Sequence, residues 1–330
     1  MRIFSGIQPT GKKHLGNYIG AIRQYVEGQD RGDPALFCIV DLHATTVAYD
    51  PADLRRNLYD STAVLLAAGL DPDRCILFRQ SDVQEHTELA WLLGSVTAHG
   101  DLNRMHQFKD KSANQKDLVS AGLFFYPVLM AADVLAYRAD EVPVGDDQRQ
   151  HVELMREIAR RFNERFGETL VVPEHRIPEI GARVMDLQDP DRKMSTSVEG
   201  DSGRVLVLDD EKAIRKKFGS AVTDSGREVV RGEDKAGITN LIGILSVATG
   251  KTETHIEGEF EGAGYGDFKK AVAEAVVEYL RPVREVYPEI RENEEAIERI
   301  LAGGADRARE IAAATLADVR EAMGLGPPRA

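Results

Sequence analysis

The first half of the chain alternates short apolar runs with amphipathic stretches. Arg2–Gly6 is a short apolar strand, followed by a Gly/Pro loop and a helix from about Asn17 to Gly28. Leu36–Asp41 is a continuous apolar run of the kind that forms a buried parallel strand. Asp50-Pro51 caps the next helix, with proline at its first position, and that helix runs to Gly69. Arg74–Arg79 predicts a third strand and Thr87–Val96 a further helix. This β-α-β-α order predicts an α/β fold, a Rossmann-like doubly wound parallel sheet.

From Asp101 to Phe166 the pattern changes to long helical periods, broken only by a brief strand near Glu141–Val144. It reads as a helical insertion over about 101–168. Thr169–Val172 returns to strand, a polar loop follows through Gly203, and beyond Asp209 the pattern is helical to the end. There Ala308, Ala312, Leu316, Val319 and Met323 fall on one stripe, the pattern of a core-facing helix. The expected division is a catalytic α/β domain over 1–205 and an all-helical domain over 206–330.

The 330 residues are 42% apolar and 29% charged, ordinary globular proportions, and suffice for a catalytic core plus one further domain. The net charge of -13 means that no global field draws in a polyanion, so a nucleic acid must dock on local basic surface. Cys38 and Cys75 lie in apolar runs away from other metal-ligating side chains, which predicts reduced core residues. No secretory signal opens the chain, and its longest apolar stretch, Ala121–Ala132, is too short to span a bilayer. A soluble, cytoplasmic protein is expected, with no metal-ligand cluster.

Two segments carry candidate phosphate chemistry. Ser5-Gly6-Ile7-Gln8-Pro9-Thr10-Gly11 leads into a helix opening at His14-Leu15-Gly16-Asn17. Glycines permit close backbone approach, and a helix start offers unpaired N–H groups to an anion. A histidine there is also an ordinary helix cap. Far downstream, Lys193-Met194-Ser195-Thr196-Ser197 lies in a polar loop, where a flexible basic segment can close on phosphates.

A third cluster suits an aromatic ligand. Tyr126, Met130 and Asp133 lie at i, i+4 and i+7 of a predicted helix, hence on one face. A tyrosine and a thioether form an apolar wall, and a carboxylate among them needs hydrogen-bond donors. An indole N–H is such a donor, and phenylalanine would leave Asp133 unpaired. Pairing of Asp133 inside the protein is the alternative.

The loop Lys193–Ser197 resembles the KMSKS loop of class I aminoacyl-tRNA synthetases, and His14–Asn17 resembles their HIGH element. Tyr126–Asp133, Phe4–Pro9, Val144-Gly145-Asp146-Asp147-Gln148 and Gly264-Tyr265-Gly266 closely resemble tryptophanyl-tRNA synthetases, and the resemblance covers essentially the whole chain. It implies activation of L-tryptophan by ATP with Mg²⁺, then transfer to the terminal 2′-OH of tRNA(Trp), by a homodimer with the insertion at its interface. Residues 206–330 would bind the anticodon. By the same resemblance Phe4, His43, Tyr126, Met130, Asp133, Val142, Val144 and Gln148 line the tryptophan pocket, though His43 is equally placed to be a core histidine. Gln8 would touch the α-phosphate. Thr10, His14, Gly16, Asn17, Gly145, Asp147, Gln148, Met185, Lys193, Met194, Ser195 and Thr196 would hold ATP. Lys111, in Gln107-Phe108-Lys109-Asp110-Lys111-Ser112, would share the triphosphate with Lys193 and Ser195.

Thr196 departs from the pattern, which has a second lysine there, and this puts more weight on Lys111 and Lys193. Arg160-Arg161, Arg215-Lys216-Lys217 and Lys269-Lys270 are candidate tRNA contacts or plain solvated helix faces. Two rivals stand beside this reading. One is a nucleotidyltransferase of the same superfamily, against which Asn17 and the long C-terminal region argue. The other is a non-catalytic paralogue, to which only Thr196 points.

Overall fold

The computed structural model describes residues 1–106, 119–145, 148–176, 183–195 and 200–326. Five strands, β1 (Ile3–Ile7), β2 (Ala35–Ile39), β3 (Ile76–Arg79), β4 (Glu141–Pro143) and β5 (Glu174–Arg176), pair in the order β3-β2-β1-β4-β5, every pair parallel. β2 is buried at every position, as its unbroken apolar run requires. The order reverses between β1 and β4, the place where open parallel sheets bind ligands outside their strand ends.

Helical segments link the strands. α1 (Leu15–Asn17) continues through a π-helical turn (Tyr18–Ile22) into α2 (Arg23–Asp30). α3 (Asp41–Ala44) follows β2 directly, and α4 (Pro51–Ala67) opens on Asp50, whose carboxylate accepts the N–H groups of Ala52 and Asp53. Then come α5 (Glu85–Gly94), α6 (His99–Asn103), α7 (Ala121–Leu135) and α8 (Arg149–Phe166). Cys38 and Cys75 are free and buried, as their apolar runs require.

Two expectations need correction. The strand near residue 141 is no part of an insertion, because β4 pairs with both β1 and β5 inside the sheet. Buried Glu141 fixes that region through Arg31, at 2.8 Å, and Arg176, at 2.7 Å. The strand expected at Thr169–Val172 does not form; β5 comes later, at Glu174–Arg176. The Asn163 side chain accepts from the N–H groups of Thr169 and Leu170 and donates to the Leu170 carbonyl, taking groups that a β-ladder would need.

The compact units do not follow chain order. The first comprises Met1–Thr10, Tyr25–Ile177 and Ile290–Ala330; the second comprises Gly11–Gln24 and Pro178–Glu289. The second unit packs α9 (Glu211–Gly219), α10 (Ala236–Thr249), α11 (Glu253–Glu259) and most of α12 (Tyr265–Glu292) around Phe218, Leu241, Ile256, Phe268 and Val272.

The last helix, α13 (Glu294–Ala322), belongs to the first unit and lies along the outermost strand β3. Ala308, Ala312, Leu316 and Val319 are buried as their spacing predicts, and Met323 is half-buried. The approach is close enough that a Cβ on Gly304 would stand 1.9 Å from the Leu77 carbonyl oxygen. Arg307 donates to the carbonyls of Pro72 and Cys75, and Glu298 receives Arg79 and the Tyr59 hydroxyl. Gly304→Ala is expected to push the helix off β3 at a cost of about 2 kcal/mol or more, by overpacking against rigid backbone. Urea unfolding reads this directly, and a midpoint equal to that of the parent would show that the helix is not seated so closely.

Candidate active site

The Tyr126, Met130 and Asp133 face of α7 turns inward, with Tyr126 and Asp133 buried and Met130 half-buried. Asp133 is 2% exposed and still anionic, because three donors converge on it. Gln80 Nε2 donates to Oδ1 at 2.6 Å, His86 Nδ1 meets the same oxygen at 2.6 Å, and His43 Nε2 meets Oδ2 at 2.7 Å. Burial alone would raise its pKa, but electrostatic attraction and hydrogen bonds from His43 and His86 outweigh that and hold it far below the usual carboxylate range. Pairing within the protein, the alternative weighed above for Asp133, is therefore present. So is the use of His43 as a buried partner.

Around this carboxylate stand the other predicted pocket residues. Phe4, Val142, Val144 and Met130 share one apolar cluster with the core of α7. The His43 ring meets Tyr126 edge-on at 6.1 Å between centroids. The Tyr126 hydroxyl lies 2.8 Å from His151 Nε2, and burial drives its pKa upward, so it stays a neutral phenol. Gln148 N–H, at the start of α8, donates to the Gly145 carbonyl at 2.9 Å. Gln8 and Thr10 follow β1, half-buried and exposed respectively.

The second unit gathers the other phosphate candidates. Residues 13–15 lie antiparallel to 205–207, with Leu15 N–H on the Val205 carbonyl at 2.8 Å and Val207 N–H on the Lys13 carbonyl at 2.9 Å. His14 and Asn17 cap each other: His14 Nδ1 accepts from the Asn17 N–H, and Asn17 Oδ1 accepts from the His14 N–H. Since Nδ1 accepts, the neutral imidazole carries its proton on Nε2 and is a donor there. Gly16 suits that fold-back, since a Cβ there would come within 3.1 Å of the His14 ring. The His14 pKa falls to about 4, first through burial and then through the charges of Lys193, Lys13 and Arg204.

Lys193 ends a tight hairpin. Met185 and Lys193 form an antiparallel bridge, Met194 N–H donates to Val184 at 3.0 Å, and Asp186 N–H donates to Arg192 at 2.8 Å. Met194 is 1% exposed, so its side chain anchors the loop, while the Ser195 carbonyl accepts from Arg204 at 3.4 Å. Asn240, on α10, holds the Met185 backbone at both its N–H and its carbonyl. Met185 lines a cavity of about 400 Å³ with Ile19, Val184, Asn240 and Ile244. Lys111, Asp147 and Thr196 lie outside the described residues. Among the described residues no His, Cys, Asp and Glu cluster suits a metal ion.

Sequence reading missed Gln80, His86, Tyr137 and His151 near Asp133 and Tyr126, and Lys13, Arg204 and Asn240 in the second unit. The available signal was weak: His86 stands alone among the apolar positions of α5, and Gln80 sits just past a strand end.

A parallel sheet with its order reversal, a buried carboxylate beside it, and a capped His-x-Gly-Asn turn near a basic hairpin now define a class. The family of tRNA synthetases class I (W and Y) matches residues 1–281, and the chain belongs to it. Within it the similarity runs to tryptophan enzymes. The tryptophan–tRNA ligase of Wolinella succinogenes is 49% identical over 324 residues, covering 98% of both chains. The crystal structure of tryptophanyl-tRNA synthetase from Mycoplasma pneumoniae superposes with a TM-score of 0.93 at 35% identity, over 98% of each chain. That of the Campylobacter jejuni enzyme, complexed with ADP and tryptophan, gives 0.82 at 37% identity, over 98% of this chain and 100% of that one.

His14 also sets a pH dependence. Between pH 6.5 and about 4 the unfolded chain binds a proton that the folded site refuses, so stability falls as pH drops through that window. The full loss is on the order of 3 kcal/mol. His14→Asn, which keeps a capping side chain, is expected to flatten the difference between urea midpoints at pH 7 and pH 4.5. An identical pH slope in both proteins would remove His14 as its source.

Proposed function

We infer that the chain is a tryptophan–tRNA ligase that activates L-tryptophan with ATP and transfers it to the 2′-OH of the terminal adenosine of tRNA(Trp). The single observation that carries this reading is the Asp133 carboxylate, buried among Gln80, His43 and His86 on the same helix face as Tyr126 and Met130. An indole N–H donates and has no acceptor of its own, so it suits an Asp133 oxygen, and Tyr126, Met130, Phe4, Val142 and Val144 supply apolar walls. His43 acts as a partner of Asp133 in that pocket.

The tryptophan carboxylate attacks the α-phosphate, the bond to the β-phosphate oxygen breaks, and pyrophosphate leaves from tryptophanyl-adenylate. No protein nucleophile takes part; the rate comes from placing the reactants and stabilising charge. His14, neutral and protonated on Nε2, donates to a phosphate oxygen, and Lys193 and Lys111 take the charge that develops on pyrophosphate. Gln8 contacts the α-phosphate. Thr10, Gly16, Asn17, Gly145, Asp147, Gln148, Met185, Met194, Ser195 and Thr196 complete the nucleotide contacts, with Met185 against adenine. Mg²⁺ arrives as part of the substrate, held by phosphates and water.

The proposal extends to a homodimer and to a cytoplasmic site of action, with residues 206–330 as the anticodon-binding part. No described helix is long and apolar enough to cross a membrane.

ATP–pyrophosphate exchange tests the reading. Exchange is expected with tryptophan and not with tyrosine or phenylalanine, and Asp133→Ala is expected to lower kcat/KM for tryptophan by about 100-fold, roughly the 1.5–3 kcal/mol that a hydrogen bond to a charged group contributes. A folded parent protein that binds ATP yet exchanges with no amino acid would instead favour a non-catalytic paralogue.

A further inference from the structure

Behind Asp133 stands a row of polar groups to which the reaction assigns no role. His86, from α5, is fully buried, with Nδ1 2.6 Å from Asp133 Oδ1 and Nε2 2.6 Å from the Tyr137 hydroxyl. Tyr137 is equally buried, stacked on Phe4 at 5.2 Å and edge-on to Phe78 at 5.6 Å, so its ring has no freedom to swing away. Gln80 spans from the Leu42 N–H, which its oxygen accepts at 3.0 Å, to Asp133 Oδ1, to which its amide donates.

The protons in this row follow from its chemistry. An anionic Asp133 accepts only, so His86 Nδ1 carries a hydrogen. Burial pushes the Tyr137 phenol well above its ordinary pKa, so its O–H persists and donates to His86 Nε2. Both imidazole nitrogens are then satisfied, Nδ1 as donor and Nε2 as acceptor. Oδ1 receives two donors, from Gln80 and His86, and is filled. Among the described residues Oδ2 receives His43 alone, which leaves one lone pair for a further donor.

We propose that His86, backed by Tyr137, is a positioning residue that fixes Asp133 as an anionic acceptor with one open site, and that it thereby selects a ring bearing an N–H over an isosteric ring without one. This rests on the reading of Asp133 as the indole contact. Without the His86 donor, Oδ1 would need a new partner, the carboxylate would turn or take up a proton, and a protonated Asp133 would no longer require a donor from the ligand. The other titratable groups near this row are His43 on α3, Cys38 on β2, and Glu85 and Arg309 near Tyr137, and all remain unchanged in the variants.

The test compares tryptophan with 3-benzothienylalanine, whose sulfur replaces the indole N–H, in pyrophosphate exchange from pH 5 to 8. The full-length protein is used with the variants His86→Leu, His86→Asn, Tyr137→Phe and Asp133→Asn. His86→Leu is expected to cut the kcat/KM preference for tryptophan at least tenfold. It is also expected to move the acid limb of kcat/KM upward in pH, since a carboxylate that loses a donor binds its proton more tightly. His86→Asn places an amide N–H near the Nδ1 position and is expected to restore both the preference and the pH profile. Tyr137→Phe is expected to fall between. If His86→Leu does not fold, His86→Asn and Tyr137→Phe still decide: a Tyr137→Phe profile and preference identical to the parent would overturn the proposal. So would an unchanged preference in folded His86→Leu while Asp133→Asn abolishes it. An unchanged preference in Asp133→Asn would instead remove the indole contact itself.

Discussion

A single carboxylate buried in an apolar core is the constraint around which the first unit is arranged. Removing an anion from water costs several kcal/mol, and only a full set of donors offsets it. Asp133 obtains those donors from three separate places: His43 just past β2, Gln80 just past β3, and His86 one helix further on. Each lies at or beyond the carboxyl end of a strand. The parallel sheet therefore does more than supply a floor, because its common direction brings the ends of β2 and β3 to the same side as α7. Loss of any one donor would leave a charge partly unmet, so the short connections after β2 and β3 have little liberty to vary in length.

The same reasoning explains what could be read in advance. Tyr126, Met130 and Asp133 were legible because one helical period links them, and the parallel strands were legible because a strand buried on both faces is apolar without a break. The donors to Asp133 were not legible. Positions 43, 80 and 86 share no period with 133, and only the sheet's closure joins them. β4 was mistaken for part of an insertion because three residues carry too little pattern to say what they pair with. Thr169–Val172 has the composition of a strand, but composition cannot show that Asn163 will claim its backbone groups first. Residues 111, 147 and 196 were named from resemblance, which assigns a role without a geometry.

The second unit solves a different electrostatic problem. It collects Lys13, Lys193 and Arg204 near His14, and burial keeps that imidazole neutral. A neutral donor among cations suits a polyanion that is bound and then released in pieces. The neighbouring charges hold the anion, while His14 adds direction without adding to the attraction that would slow departure. The mutual cap between His14 and Asn17 matters here because it fixes which nitrogen carries the proton, a choice that pKa alone leaves open.

The placement of α13 bears on the order of events at the ribosome. The sheet is complete in sequence by residue 176, yet the helix that lies along β3 is drawn from residues 294–322. More than a hundred residues of the second unit are made in between. Throughout that interval β3 would lack its partner, with an unsatisfied strand margin and the apolar bed of Ala308, Ala312 and Leu316 uncovered. Such margins invite pairing with other chains. A nascent chain of this design has a built-in period of vulnerability that ends only once α13 has been made.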